Sequence, residues 1–463
     1  MAEGKEEKHI VMFPFMAQGH FIPFLSLANV LTCRGLTVSF LTTTANVSKL
    51  KSQAVGSSIR FVSLSLPLVH GLPPACESTD TLSFIDGQLL FISSHKLSQP
   101  FEEWLEQIIA ETSKKPACII SDVFLPWTAQ SASKFGIPRV VFHTTGAMAA
   151  SLLQYLFTNP VSDIIRDRQI IEIHDHCINV ILRSAEVPEI LRSDLFISPY
   201  PTLTVLQQAY GSAKESCSAT LVNTFAELEA DYVRYLEEST GKPVWGVAHP
   251  LHRPQHGINN ESECIRWLDT QKHNSVLYVS FGSQAFLSED QTKVLARGIA
   301  ASKQRFIWTI KDLVGSNVNS CDFLPEDFME ATKDRGRVIH GWVPQLLILS
   351  HPSTAFFMTH CGWNSTLESI SAGVPMVLWP MSFDQFINAK LVTEHLDLGL
   401  QICEGLDAIP SSDIVENTVK TAMATKIGED MRLRALKIKE SINEASCKLS
   451  GIEGFVSYVL SLC

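Results

Sequence analysis

Charge is scarce in this chain, and long apolar runs are missing from it. Only 18% of the 463 residues are Asp, Glu, Lys or Arg, against 45% hydrophobic residues. That balance excludes intrinsic disorder and leaves ample material for packed cores. The 37 Lys and Arg are outnumbered by 48 Asp and Glu, a net charge of −11. No broad basic footprint for nucleic acid or an anionic membrane follows, so an anionic ligand must be held locally. The most weakly polar stretch, Val140 to Phe157, is interrupted by His143, Thr144, Thr145, Ser151 and Gln154. It falls short of the ~18 clean apolar residues of a membrane span and predicts a buried segment. The polar start, Met1 to His9, is followed by an apolar run, Ile10 to Phe15, too short for a signal-peptide core. A cytoplasmic protein without a transmembrane segment is expected.

Paired cysteines are lacking too. The 11 cysteines are odd in number and contain no Cys-x-x-Cys, which argues against a disulfide framework and a zinc site and predicts buried, reduced thiols. His174-Asp175-His176-Cys177 holds metal-ligand residue types but not the usual spacing or a second cluster, and reads as a surface loop. No Gly-x-Ser-x-Gly elbow is present, which excludes the common serine hydrolase arrangement. Met16-Ala17-Gln18-Gly19-His20 lacks the glycine spacing of a nicotinamide-binding turn.

What is present is an alternation of strands and helices. A chain of this length exceeds a single core, and two large domains are expected. His9 to Phe15 reads as a strand, Phe21 to Cys33 as a helix ended by Gly35, and Thr37 to Thr42 as a second strand. Ile59–Leu64, Ala117–Ser121 and Arg139–Phe142 continue the strand series, and the pattern restarts at Val276–Phe281. Ser288-Glu289-Asp290-Gln291 forms a capping box opening a helix that runs to about Lys303. Phe306–Ile310, Val338–Ile339, Thr354–Met358 and Met376–Leu378 are the remaining strands of this half. This is an α/β chain with two Rossmann-like doubly wound domains facing across a cleft. The expected partition is residues 1–245 for the first domain, 246–262 for a Pro- and Gly-containing linker, 263–445 for the second domain, and 446–463 for a terminal helix returning to the first. Two such sheets can present two ligands to one another, as a transferase requires.

The second half carries WVPQLLILSHPSTAFFMTHCGWNSTLESISAGVPMVLWPMSFDQ from Trp342 to Gln385. Its residues suit a nucleotide sugar group by group. Trp342 offers a flat face for a base, and Glu368 a carboxylate that accepts from adjacent ribose hydroxyls. Asn364 and Ser365 follow Gly362 at the start of an expected helix, whose amino terminus is an anion site. His360 and Ser283 can donate to phosphates, and Asp384 and Gln385 suit hexose hydroxyls.

This segment resembles the plant secondary-product glycosyltransferase box of UDP-dependent glycosyltransferases, in register throughout its length. Met12 to His20, Asp122, Thr144 and Phe281-Gly282-Ser283 are similar to the family as well, so the likeness covers nearly the whole chain. A lone Trp or His is usually a packed core residue; the complete register outweighs that reading here. The resemblance implies that Trp342 stacks on uracil, that the Val343 backbone reads its edge, and that Gln345 and Glu368 lie on the nucleoside. It implies further that His360, Asn364, Ser365 and Ser283 hold the diphosphate, that Trp363, Asp384 and Gln385 hold the sugar, and that Thr144 also belongs to the UDP-sugar site. Ala355 and Phe356 depart from the family's usual pair of glycines, and Ala248-His249-Pro250 from its usual Gly-Pro linker. These changes are expected to alter packing beneath the phosphate-site helix and domain closure.

His20 follows the first strand and is placed as a base; Asp122, at the end of another strand, could fix its tautomer and stabilise the imidazolium. The resemblance implies that this is the family's His–Asp pair. No Asp-x-Asp metal element occurs, so metal-independent transfer is expected, with no cofactor beyond the co-substrate UDP-glucose. Phe15, Phe21, Phe84, Leu125, Phe142 and His143 suggest an apolar or aromatic acceptor, or else fill the core. The expected activity is inverting transfer of glucose to a hydroxyl of a phenolic, flavonoid or terpenoid acceptor by a monomer. A different donor sugar, or a silent small-molecule binding protein of the same fold, is the alternative.

Overall fold

The computed structural model describes residues 8–53, 59–73, 76–159, 170–175, 177–192, 200–248, 263–282, 286–311, 320–405, 408–448 and 450–462. Ser283, and the linker from His249 onward, lie outside the described residues. The chain divides into two compact units: residues 1–184, 190–249 and 445–463 form the first, and residues 185–189 with 250–444 the second.

The first unit is built on a parallel sheet ordered β3-β2-β1-β4-β5-β8-β9. Its strands are β1 His9–Phe13, β2 Thr37–Thr43, β3 Ile59–Leu64, β4 Cys118–Asp122, β5 Arg139–His143, β8 Ala219–Val222 and β9 Val244–Gly246. Strands β4 and β5 are buried along their whole length, with apolar centres at residues 118–120 and 140–142, as a sheet covered on both faces requires. The chain steps outward from β1 to β3 and then returns to β4 on the other side of β1. That makes the β1/β4 boundary a topological switch point, where ligands bind open α/β sheets. His20 follows β1, and Asp122 is the last residue of β4.

The first helix begins at Gln18, earlier than the sequence periodicity suggests. Extended Ala17 caps it, its carbonyl accepting from the N–H groups of His20 and Phe21. His20 therefore lies within the first helical turn. The expected loop around His174 is a hairpin instead, β6 Ile170–Asp175 paired antiparallel with β7 Ile178–Arg183. The reason is period-two patterning: Ile171 and Ile173 are buried while Glu172 and His174 face outward. The terminal helix Ser450–Ser461 belongs to the first unit. A Cβ on Gly451 would lie 2.0 Å from the Gly246 carbonyl oxygen, and Trp245 packs its ring 5.7 Å from Phe455 and 5.2 Å from Tyr458.

The second unit carries a parallel sheet ordered β12-β11-β10-β13-β14-β15, comprising β10 Val276–Ser280, β11 Arg305–Ile310, β12 Gly336–His340, β13 Thr354–Thr359, β14 Met376–Leu378 and β15 Gly399–Gln401. The capping box forms as expected, with Ser288 and Gln291 satisfying each other's backbone at the start of Glu289–Ser302. Leu277, Val279, Phe306, Trp308, Phe356 and Met358 are core residues of this unit, and burying each stabilises it by about 1.5–3 kcal/mol. The register of β10 on β13 jumps from Val276↔Thr354 to Leu277↔Phe356, which makes Ala355 the extra residue of a bulge. Phe356 is fully buried, with the Arg432 guanidinium 5.7 Å from its ring centre. The switch point of this sheet falls between β10 and β13, whose ends carry Gly282 and His360.

Candidate active site

At the switch point of the first unit, His20 Nδ1 lies 2.7 Å from Asp122 Oδ2. Asp122 is wholly buried while the His20 side chain is 17% exposed, so the pair has one protected end and one accessible end. Oδ2 also accepts from the Phe15 N–H at 3.2 Å and Oδ1 from the Phe124 N–H at 2.9 Å. These bonds fix the carboxylate on both sides. An acceptor-only oxygen opposite Nδ1 puts the ring hydrogen on Nδ1 and the lone pair on Nε2, the tautomer a base needs. Thr144 Oγ1 is 3.2 Å from the same Nδ1. Thr144, expected on the UDP-sugar, stands beside His20.

Aromatic rings surround His20. Phe15 meets it edge-on at 5.4 Å and Phe124 lies tilted at 5.1 Å. Phe91 packs against both, 5.9 Å from Phe15 and 5.2 Å from Phe124. Phe91 and Phe124 were not singled out from sequence. Phe124 stands two residues past a strand end, which is a readable signal, whereas Phe91 lies in a helix far along the chain with none. Phe21, Leu125 and Phe142 are fully buried core residues; Phe142, for example, packs 4.8 Å from Phe24. The Phe84 side chain lies outside those described. His143 is buried, its pKa lowered to about 4 chiefly by that burial.

A helix amino terminus also follows β5 in this unit, but the protein occupies it itself. The buried carboxylate of Glu229 accepts from the N–H groups of Ala147 at 2.9 Å and Met148 at 2.7 Å, and from the Thr224 hydroxyl. Burial raises the Glu229 pKa, and those three donors oppose the shift.

The corresponding turn of the second unit has a different design. The helix Trp363–Ala372 starts at Gly362, which has no side chain with which to cap it, and its first turn contains no acid. His360 is packed between two glycines: a Cβ on Gly282 would lie 2.4 Å from its Cε1, and one on Gly362 2.5 Å from its Nε2. Only glycine allows this approach on either side. Burial lowers the His360 pKa to about 4, and the Lys311 charge acts in the same direction. The ring is therefore neutral near pH 7. Among the described residues its buried Nδ1 has no hydrogen-bond partner, so this part of the fold leaves the ring unsatisfied. Between His360 and Gly362, Cys361 adopts a left-handed φ of 67°. Its buried thiol is pushed well above the usual pKa by desolvation, which removes it as a nucleophile.

Trp342 is 75% exposed, unusual for an indole and apt for stacking. Val343 is buried, and its carbonyl accepts from the Gln345 N–H at 2.9 Å. The Gln345 amide nitrogen donates to Ser365 Oγ at 3.1 Å and Glu368 Oε2 at 2.7 Å, while its carbonyl accepts from the Tyr278 hydroxyl at 3.1 Å. Tyr278, a strand residue missed from sequence, is thereby the anchor of this cluster. Glu368 is 8% exposed, and burial raises its pKa to about 7 against the lowering effect of Gln345. Gln345, Ser365 and Glu368 therefore meet in one group. Trp363 is buried, and Asn364 is half-buried beside it in the first turn.

Near β14, Gln385 Oε1 accepts from the N–H groups of Met381 at 2.9 Å and Ser382 at 3.1 Å. Its carbonyl is committed to that turn, leaving the amide nitrogen to offer a ligand. Asp384 Oδ2 accepts from Asn388 Nδ2 at 3.1 Å, and the same amide reaches the Cys361 carbonyl at 3.0 Å. Asn388 thus ties the Asp384 turn to the turn before the Trp363 helix. Among the described residues, no helix is long and apolar enough to cross a membrane.

Residues 256–439 match the family described as UDP-glucoronosyl and UDP-glucosyl transferase, and residues 6–253 the family described as glycosyltransferase, N-terminal domain. Scopoletin glucosyltransferase of Nicotiana tabacum is 35% identical, with 94% of each chain covered. UDP-glycosyltransferase 73B3 of Arabidopsis thaliana is 32% identical, with 96% of each covered. The structure of Phytolacca americana UGT2 complexed with UDP-2fluoro-glucose and pterostilbene superposes with a TM-score of 0.78 at 29% identity, covering 98% of this chain and 99% of that one. A UDP-glucosyltransferase from Polygonum tinctorium capable of glucosylating indoxyl gives 0.80 at 27% identity, covering 98% and 99%. The chain belongs to the plant UDP-glycosyltransferases, and the enzyme is a UDP-dependent glycosyltransferase with the GT-B class of fold.

Proposed function

We infer that the enzyme transfers glucose from UDP-glucose, with inversion, to a hydroxyl of a small aromatic or apolar acceptor, giving a β-O-glucoside. In this reading His20 Nε2 removes the acceptor proton, the oxygen attacks the anomeric carbon, and UDP leaves from the opposite face. Asp122 stabilises the imidazolium as it forms. The observation that carries the reading is the 2.7 Å bond between His20 and a fully buried Asp122 held by two further N–H groups. The half-buried ring of Phe124 beside that base, backed by the buried rings of Phe15 and Phe91, favours a flat apolar acceptor.

On the donor side, Trp342 takes uracil, Glu368 the ribose diol, His360 with the Trp363 helix terminus the diphosphate, and Asp384 with the Gln385 amide the glucose. The leaving charge falls on hydrogen-bond donors and a helix dipole rather than on a metal. The buried indole of Trp363 offers no charge to a sugar carboxylate, which would cost several kcal/mol to bury unpaired. UDP-glucuronate is therefore disfavoured strongly. UDP-galactose, differing at one hydroxyl, is disfavoured less, by about 1–3 kcal/mol. Competition among the three donors with one phenolic acceptor tests this, and comparable kcat/KM for glucuronate would overturn the donor assignment. The reading takes the enzyme as a cytoplasmic monomer.

A further inference from the structure

The donor groups assigned above leave one physical gap, because none brings a full positive charge to a ligand that carries two negative ones. His360 is buried and neutral, Asn364 and Ser365 are uncharged, and the Trp363 helix contributes only its dipole. The sheet order supplies the missing element. Trp342 follows β12, Gly282 follows β10 and His360 follows β13, while β11 lies between β12 and β10. With strands ~4.8 Å apart, β12 and β13 are separated by about 14 Å, and a nucleotide reaching from Trp342 to the Trp363 helix must pass the end of β11. The residue at that end is Lys311. Its Nζ donates to the Gly282 carbonyl at 3.1 Å, and Gly282 is the glycine whose Cα abuts the His360 ring. The ammonium is thus anchored on the turn that flanks His360.

We propose that Lys311 is a diphosphate-binding residue, its ammonium meeting the β-phosphate of the UDP-sugar and offsetting the charge that grows there as the glycosidic bond breaks. The electrostatic reach is consistent, since the Lys311 charge is felt at the buried His360 ring. This inference rests on the donor reading above and adds a residue to it. A lysine is suited to the role because a compact ammonium on a flexible stem can keep its bond to Gly282 while turning further N–H groups to phosphate oxygens.

The test is the affinity of wild type, Lys311→Met and Lys311→Arg for uridine, UMP and UDP by calorimetry. Lys311→Met should weaken UDP by about tenfold to a hundredfold, as loss of a charged hydrogen bond does. Uridine should stay within about twofold in the same variant, since no phosphate is present to feel the change. Lys311→Arg should recover most of the UDP affinity, and kcat with saturating UDP-glucose should fall in the Met variant. UDP binding unchanged in Lys311→Met overturns the proposal. An equal loss for uridine overturns it too, because that marks a structural role. Failure of the donor reading is seen separately, as absence of UDP binding to the wild type.

Discussion

Donor affinity should depend on pH through Glu368, and its burial sets the size of the effect. Burial raises this carboxyl to about 7, so near pH 6 about nine-tenths of it is protonated in the free enzyme. Ribose hydroxyls donate best to the ionised form, so bound UDP-glucose pulls the pKa down. If the complex returns it by about two units, affinity is about tenfold weaker at pH 6 than at pH 8, a difference of ~1.4 kcal/mol. His360, held at about 4, stays neutral across this window and adds no dependence. UDP-glucose is the ligand of choice, because the terminal phosphate of UDP itself titrates at about 6, whereas each phosphate of the sugar nucleotide carries an ester and the shared anhydride and keeps no proton that titrates in this window. Calorimetry at pH 6, 7 and 8 should show wild-type Kd rising about tenfold toward acid and a flat profile for Glu368→Gln. Equal slopes in the two proteins, or a flat wild type, would refute the reasoning. Stability moves in the opposite sense. A folded pKa above the unfolded value of 4.5 means the folded state keeps its proton longer. This contribution is full below pH 4.5 and is lost as pH rises through 7, costing on the order of 3 kcal/mol. Glu368→Gln should therefore raise the Tm of the ligand-free enzyme at pH 8 while weakening UDP-glucose.

Asp122→Asn should lower kcat by about 10²–10⁴ while the fold survives, because the amide NH₂ must face either His20 Nδ1 or the Phe124 N–H and cannot serve both as the carboxylate does. Unchanged kcat from pH 6 to 9 would remove Asp122 from the mechanism. Gly451→Ala drives a Cβ to within 2.0 Å of the Gly246 carbonyl, and scanning calorimetry should show a loss of about 1–3 kcal/mol in the first unit. A Tm equal to wild type would mean that the terminal helix does not pack there.

The residues of the proposed donor site are legible together because they are contiguous. Trp342, Gln345, His360, Asn364, Ser365, Glu368, Asp384 and Gln385 fall in one segment that a strand–turn–helix pattern organises. His20 and Asp122 were legible for another reason: both stand at strand ends, and parallel sheets gather those ends at a switch point. What sequence does not show is long-range. Glu229 fills the helix terminus at Ala147 from 82 residues away, and nothing around it in the chain signals that role. Tyr278 resembled any apolar strand residue until its hydroxyl was found on Gln345. Phe91 reaches Phe15 and Phe124 from a helix, while Phe142 at a strand end turns into the core, because the face to which a side chain points depends on the layers packed above it. Period-two alternation around Ile171 and Ile173 is the signal of the hairpin whose first strand holds His174 and Asp175.

The central claim is that His20 is the base of a glucosyl transfer, and steady-state kinetics of His20→Ala with UDP-glucose and an aliphatic alcohol acceptor tests it most directly. An alcohol is needed because an acidic phenol supplies part of its own ionisation and masks the loss. The account predicts a fall in kcat of about 10²–10⁴ with UDP-glucose Kd unchanged, and a β-linked product from the wild type. Turnover of the alcohol by His20→Ala at the wild-type rate would contradict it.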